Sequence, residues 1–276
     1  MRNNLDIIIL TYNEEVNIQK CLESAKNLSN NIHVVDSYST DNTLDICSKY
    51  DVQIHKNEFI NQGIQFNWAL DNLKLNNDWI LRLDADETVS EKLNKSILYE
   101  VSKKNNLYDG FYINRKLIWC EKWIKYGGIY PHWISRLFKK NRARYEERTE
   151  EHLIIKGKTK KLKGDLIEDN KKNLISFFTI KHLETAKGET KEFFDNKYNT
   201  LNQSESLNTK NNIRRYAKLN LYNRLPIFLR AFLYFVLRYF FQLGFLDGKH
   251  GFTFHFFQGF WYRMLIDLMI YEKKNN

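Results

Sequence analysis

Four short apolar runs, at residues 7–10, 32–35, 52–54 and 79–83, punctuate the first part of the chain. Stretches with helical spacing separate them. Residues 16–25 carry apolar side chains at 16, 18, 21, 22 and 25, the period of an amphipathic helix, and 40–50 and 64–75 also read as helices. The run 7–10, continuously apolar rather than alternating, predicts a buried parallel strand, and the other three also read as strands. Strand–helix alternation of this kind predicts an α/β fold: an open, mostly parallel, Rossmann-like sheet with helices on both faces and right-handed crossovers.

In such sheets ligands sit beyond the carboxyl ends of the strands. Three of these strand ends carry acids: Glu14 and Glu15, Asp36, and the pair Asp84 and Asp86. Two carboxylates one residue apart cannot both pack inward, and their charge needs a partner. A hard divalent cation supplies one, and Mg²⁺ typically takes one or two carboxylates plus substrate phosphates. Asp36 can accept hydrogen bonds from a nucleoside or cap a turn, a role for which Ser39, Thr40 and Asp41 compete.

Beyond residue 110 the pattern changes. Residues 111–113 and 133–138 predict strands, and 139–172 are densely charged with a short apolar run at 153–155. A helix is expected over 177–199 and a polar linker over 204–212. Residues 211–276 hold ten Lys/Arg against three acids, most of the whole-chain excess of +10, and 15 aromatics fall within 228–262. That balance predicts an anionic partner. Pro226 suits the start of a helix and Gly244 its end. Between them Arg230, Tyr234, Arg238 and Gln242 make a polar stripe at four-residue steps. Two arginines argue against a spanning helix, so an interfacial helix on an anionic membrane surface is expected, with Arg230, Arg238 and the cluster Arg214, Arg215 and Lys218 meeting the headgroups, and a helix folded onto the domain as the rival. The expected division is 1–210 as the main domain (halves 1–110 and 111–210) and 211–276 as a basic, aromatic-rich helical tail. Three cysteines and no C-x-x-C pattern exclude a disulfide scaffold or zinc ribbon. The first apolar run is too short for a signal-peptide core, so a cytoplasmic protein attached peripherally to the inner membrane face is expected.

The segments 8–15, 34–43 and 79–87 resemble, in content, order and spacing, the three opening motifs of family 2 glycosyltransferases. Asn67 to Leu70, Gly110 with Arg115, Arg136 to Phe138, Glu150-Glu151-His152 and the tail from Gly244 to Gly248 resemble the bacterial lipopolysaccharide-core and exopolysaccharide branch. The resemblance implies a GT-A fold, a nucleotide-diphosphate sugar donor and an inverting in-line displacement. It implies that Thr11, Glu14 and Asp36 hold the nucleoside, with Tyr12 beside them. Asp84 and Asp86 would hold the diphosphate through Mg²⁺ or Mn²⁺. Glu151, with Glu150 as the fallback, would be the base that takes the acceptor proton.

Three departures bear on the chemistry. Glu150 stands where Asp is usual. Phe66 stands where many members have Arg or Lys, so a donor-phosphate contact is expected from Arg82 or Arg136. The Gln-x-x-Arg-Trp pattern of processive synthases is missing, which favours one sugar per acceptor. The acceptor is expected to be a saccharide or lipid-linked saccharide, and no nucleic acid is expected. Two other readings stay open: a polyprenyl-phosphate acceptor, and a non-catalytic basic protein binding membrane or nucleic acid. Trp119, Trp123, Tyr126 and Trp133 are candidates to stack on sugar, or equally to pack in a core.

Overall fold

The structure is a computed structural model. It describes residues 4–145, 153–172, 174–194, 222 and 225–275. The chain forms two compact units, Met1–Lys125 with Ile129–Leu174, and Tyr126–Gly128 with Ile175–Asn276.

The first unit is built on one sheet. Its strands are β1 (Leu5–Thr11), β2 (Asn31–Asp36), β3 (Gln53–Lys56), β4 (Trp79–Asp84), β5 (Glu87–Val89), β6 (Gly110–Trp119), β7 (Lys122–Ile124), β8 (His132–Lys139) and β11 (Thr159–Glu168). The order is β3-β2-β1-β4-β8-β6-β11-β5, with β7 beside β6. β1, β2, β3 and β4 run parallel, as the sequence predicts, and β8 joins β4 antiparallel. A separate ribbon pairs β9 (Ala143–Tyr145) with β10 (Leu153–Ile155).

β1, β2 and β4 are buried along nearly their whole length, whereas β3, at the sheet edge, is largely exposed. Ile7 and Ile9 face a core with Ile18, Cys21 and Leu22 of α1 (Ile18–Lys26) and Leu93 and Ile97 of α4 (Glu91–Val101). Ile8, Val35 and Ile80 face a second core with Phe66 and Ala69 of α3 (Gln62–Asn72). Cys21 and Cys47 are buried thiols. The caps are conventional: Asn61 accepts from the Ile64 N–H at 2.7 Å at the start of α3.

Two elements differ from the sequence expectation. The helix expected over 40–50 is only α2 (Thr43–Cys47). Asp41 accepts from the Thr43 N–H at 3.0 Å and from its hydroxyl at 2.5 Å, which holds the preceding residues in a turn. The charged stretch after 139 contains the ten-residue β11, parallel to β6 and antiparallel to β5. Its lysines are exposed, and Leu162 and Leu166 supply its buried anchors.

The second unit is helical. α5 (Leu174–Phe194) packs with α8 (Tyr262–Asn275) around Ala186, Tyr262, Ile266 and Ile270. Glu189 accepts from the Tyr262 hydroxyl at 2.6 Å and from Arg263 at 3.0 Å. The helix expected between Pro226 and Gly244 is α6 (Leu229–Val236), continued by a wide turn over Leu237–Phe241. A 3-10 turn (Gly244–Asp247), α7 (Gly248–His255) and a second wide turn (Phe256–Trp261) lead into α8. Arg230, Tyr234 and Arg238 of the polar stripe are buried or half-buried, whereas Gln242 is exposed. Arg230 is buried against the fully buried Asp267, with Nε donating at 2.7 Å. Arg238 donates to the Gly127 carbonyl at 2.8 Å and to the Tyr234 hydroxyl at 3.0 Å. The expectation that Arg230 and Arg238 meet lipid headgroups is therefore corrected. Arg214, Arg215 and Lys218, expected to share that role, lie outside the described residues.

His255 is fully buried, and neither ring nitrogen has a hydrogen-bond partner. A Cβ at Gly127, whose φ is +69°, would stand 2.0 Å from its ring, so only glycine fits there. Burial, and then the charge of Arg238, push the His255 pKa down to about 3. The unfolded chain binds this proton at an ordinary pKa and the folded chain does not. Stability contributed by neutral His255 is thus present above about pH 6.5 and lost as pH falls towards 3. The slope it contributes is about 1.4 kcal/mol per pH unit at its steepest. Denaturant titrations across that window should show a shallower acid slope for His255→Phe than for the native chain.

Candidate active site

The β-sheet register brings the acidic strand ends together. Thr11 lies opposite Asp36 across β1 and β2, and Leu10 lies opposite Asp84 across β1 and β4. Loops following these parallel strands therefore leave from one edge of the sheet.

The loops after β1 and β2 are latched to each other. The Asn13 N–H donates to Ser39 Oγ at 2.9 Å, and Asn13 Oδ1 accepts from the Thr40 N–H at 2.7 Å. The Glu14 N–H donates to Thr43 Oγ1 at 2.7 Å, and the Glu15 N–H to Asp41 at 3.1 Å. Asn13 and Tyr38 have φ of 51° and 61°, left-handed values that these short connections require. Much of the polar content of the two motifs thus builds the loops. Asp36 is buried and accepts from the Ser39 N–H at 2.9 Å and from the Ser39 hydroxyl at 2.5 Å. Thr11 is buried, and its hydroxyl has no partner. Tyr12 is exposed at the start of its loop.

Asp84 sits between two guanidinium groups. Oδ1 accepts from Arg82 at 3.1 Å, and Oδ2 accepts from Arg136 at 2.6 Å. Burial alone would raise its pKa, but Arg136 and then Arg82 hold it well below the usual carboxylate range. Asp84 is therefore ionised at every working pH. Arg82 is itself buried, donates to Gln62 at 2.9 Å and lies 4.6 Å over the Tyr145 ring. In this position it orients Asp84. Arg136 also donates to the buried Glu87 at 2.9 Å, and Glu87 accepts from the Asp84 N–H at 2.9 Å. Burial, reinforced by Asp84 and opposed by Arg136, pushes the Glu87 pKa up to about 7.

A short segment after β11 closes this edge. Asn170 donates to Asp86 at 3.1 Å, and the Asp169 N–H donates to the Asp86 carbonyl at 3.0 Å. Lys172 Nζ lies 2.5 Å from Glu14, and the Lys171 N–H donates to Asn17 at 2.8 Å. Glu87 closes the motif at 79–87 but was assigned no role in the sequence, and Asn170 and Lys172 carried no functional signal there. Glu87 adjoins the Asp84–Asp86 pair and could have been suspected there. Asn170 and Lys172 are far from the motifs along the chain, and only the path of β11 returns them.

Among the described residues, no group of three or more His, Cys, Asp or Glu side chains could hold a metal ion. What the strand end offers is an oxygen-only donor set, Asp84 and Asp86, with Asp84 ionised. That set fits a hard cation taking one or two carboxylates and completing its shell with phosphates and water. It does not fit zinc, which prefers a nitrogen or sulfur cage. Glu150 and Glu151 lie outside the described residues. Of the aromatic candidates, Trp119 is buried, and Trp123 packs edge-on against Tyr130 at 5.0 Å.

An open α/β sheet carrying acids at its parallel strand ends is the GT-A arrangement. The fold is similar to that of a mannosyltransferase from Pyrobaculum calidifontis, with a TM-score of 0.57 at 13% identity over 99% of this chain and 88% of that one. Residues 6–158 match the model of the family described as glycosyl transferase family 2. The chain belongs to that family. An uncharacterized glycosyltransferase of Rickettsia bellii is 32% identical over 105 residues, 38% of this chain and 35% of that relative. The prophage-derived glycosyltransferase SunS of Bacillus subtilis is 38% identical over 99 residues, 34% of this chain and 22% of that relative. The matched region thus spans about a third of the Rickettsia relative and less of SunS.

Proposed function

We propose that the chain transfers one sugar from a nucleotide-diphosphate sugar to a saccharide or lipid-linked acceptor, with inversion and with Mg²⁺ or Mn²⁺, in the synthesis of a bacterial surface glycan at the inner membrane face. The observation that carries this reading is the convergence of Thr11, Asp36, Asp84 and Asp86 on one sheet edge, with Asp84 held ionised by Arg82 and Arg136. The Pyrobaculum mannosyltransferase was solved with GDP-Man and Mn²⁺, which supports the same class of donor and ion.

Asp36 and Thr11, whose hydroxyl has no partner, would hold the nucleoside at the ends of β2 and β1. Asp84 and Asp86 would hold the cation, which when bound neutralises charge on the diphosphate leaving group. Arg82 and Arg136 fix the Asp84 carboxylate, and Asn170 orients Asp86. Glu151 takes the acceptor hydroxyl proton, with Glu150 the alternative. Glu151→Gln keeps its shape and loses that basicity, so turnover should fall by about 10² to 10⁴. Donor affinity should persist, because the donor contacts lie elsewhere in sequence. If Glu151→Gln turns over normally and Glu150→Gln does not, the base is Glu150; if both turn over normally, neither is the base.

The experiment that tests the reading is a donor-hydrolysis screen with UDP-, GDP-, dTDP- and ADP-sugars, each with Mn²⁺, with Mg²⁺ and with EDTA. Hydrolysis of at least one donor that EDTA abolishes is expected. No hydrolysis of any donor in the presence of either ion would contradict it.

A further inference from the structure

The second unit is inverted in polarity along α6 and the turns that follow it. Between Ala231 and Leu246 the only charged residue is Arg238, and it points inward to the Gly127 carbonyl. Arg230 is buried on Asp267, and Arg263 is paired with Glu189. The opposite face is apolar and open to solvent. Leu229, Phe232, Leu233, Leu237, Phe240 and Phe241 recur at three- and four-residue steps, so they share one helix face. Phe240 is 53% exposed and Phe241 77%. Leu243, Phe245 and Leu246 continue the exposed apolar surface through the 3-10 turn. An isolated exposed Leu or Phe is ordinary; a run of this length without a charge facing water is not.

We propose that this face is embedded in one leaflet of a lipid bilayer, with α6 lying along the interface. Three observations favour lipid over a protein partner. Protein interfaces ring an apolar centre with polar groups, whereas here the ionic groups lie behind the face and are already paired. That placement is the one an apolar solvent requires, where charges turn inward and satisfy each other. Second, no single helix among the described residues is long and apolar enough to cross a membrane. The pair Leu229–Phe241 and Gly244–Asn275, bent by 70°, does pass by length and composition. Its first arm, at 1.5 Å per residue, is about 20 Å long, short of the roughly 30 Å hydrocarbon core, so it suits shallow insertion rather than a crossing. Third, the exposed cations Lys249, Lys273 and Lys274 complement anionic headgroups. The proposal stands on the second unit alone and is independent of the donor-site reading.

Attachment of this kind is driven by apolar burial, with lysines adding a salt-sensitive increment. The test is flotation of the full chain with vesicles of phosphatidylcholine alone, and of phosphatidylcholine with phosphatidylglycerol, at low and high salt. The chain is expected to float with both, and to stay bound to the neutral vesicles at high salt. Phe232→Ser, Phe240→Ser and Phe241→Ser each remove an exposed ring, so the fold should persist by circular dichroism. Each is expected to weaken partitioning about tenfold or more. Phe59→Ser, an equally exposed ring in the first unit, should leave it unchanged. Flotation only with anionic vesicles at low salt would overturn the proposal, as would undiminished flotation of a triple variant carrying Phe232→Ser, Phe240→Ser and Phe241→Ser together. A stable dimer in solution that the triple variant dissociates would overturn it too, assigning the face to a second copy.

Discussion

Arg136→Met should be among the most damaging single substitutions in the first unit. The guanidinium of Arg136 bridges Asp84 at 2.6 Å and Glu87 at 2.9 Å, and Glu87 is almost completely buried. Methionine fills much of the volume and supplies no charge. Removing one partner of a buried ionic group leaves the others uncompensated, which costs about 3–5 kcal/mol. Urea unfolding at neutral pH measures that loss. Its pH dependence carries the sign of the cause. Glu87 already sits at about 7, because burial disfavours its charge, and without Arg136 it shifts further up. Protonation then relieves the variant in acid, so its deficit should be larger at about pH 8 than at about pH 5. A deficit that is flat with pH would show that lost packing, not the stranded carboxylate, destabilises the variant. Activity should fall with stability, since Asp84 loses one of the two groups that aim it.

Asp86→Ala should separate folding from function. Asp86 is half-buried at the strand end, and its main-chain carbonyl keeps its bond to the Asp169 N–H whatever the side chain. Ala opens no core cavity, so the melting temperature should change little. Turnover should fall by about 10³ to 10⁵, the equivalent of losing several kcal/mol of charge stabilisation at the leaving group. Initial rates at saturating donor, set beside a melting curve of the same preparation, measure both. A folded Asp86→Ala enzyme with near-normal turnover would remove Asp86 from the reaction.

How much of this was legible in the sequence follows from burial. β1, β2 and β4 were readable because they are buried, so each is mostly apolar, broken by His33 in β2 and Arg82 in β4, with a visible acid at or just beyond its end. β11 was not, because a strand with one wet face and lysines upon it reads as a charged loop. The Asp84–Asp86 pair was readable as a local pattern. The groups that hold it were less so: Arg136 on β8 meets Glu87 at the start of β5, and Asn170 arrives from just beyond the end of β11. The four-residue period of Arg230, Tyr234, Arg238 and Gln242 was legible, and the side that Arg230 and Arg238 face was not. Periodicity separates two faces of a helix but does not say which one is wet. Asp267, far along the chain, decides that by burying Arg230.

The measurement that bears most directly on the central claim is calorimetric binding of UDP, GDP, dTDP and ADP to the native chain and to Asp86→Ala, with Mn²⁺ and with EDTA. The strand-end site predicts that at least one of these nucleoside diphosphates binds the native chain in the presence of Mn²⁺. That binding should be lost in EDTA and greatly weakened in Asp86→Ala. If none of them binds, or if binding is indifferent both to EDTA and to Asp86→Ala, the acidic strand ends are not a metal-assisted nucleotide-sugar site.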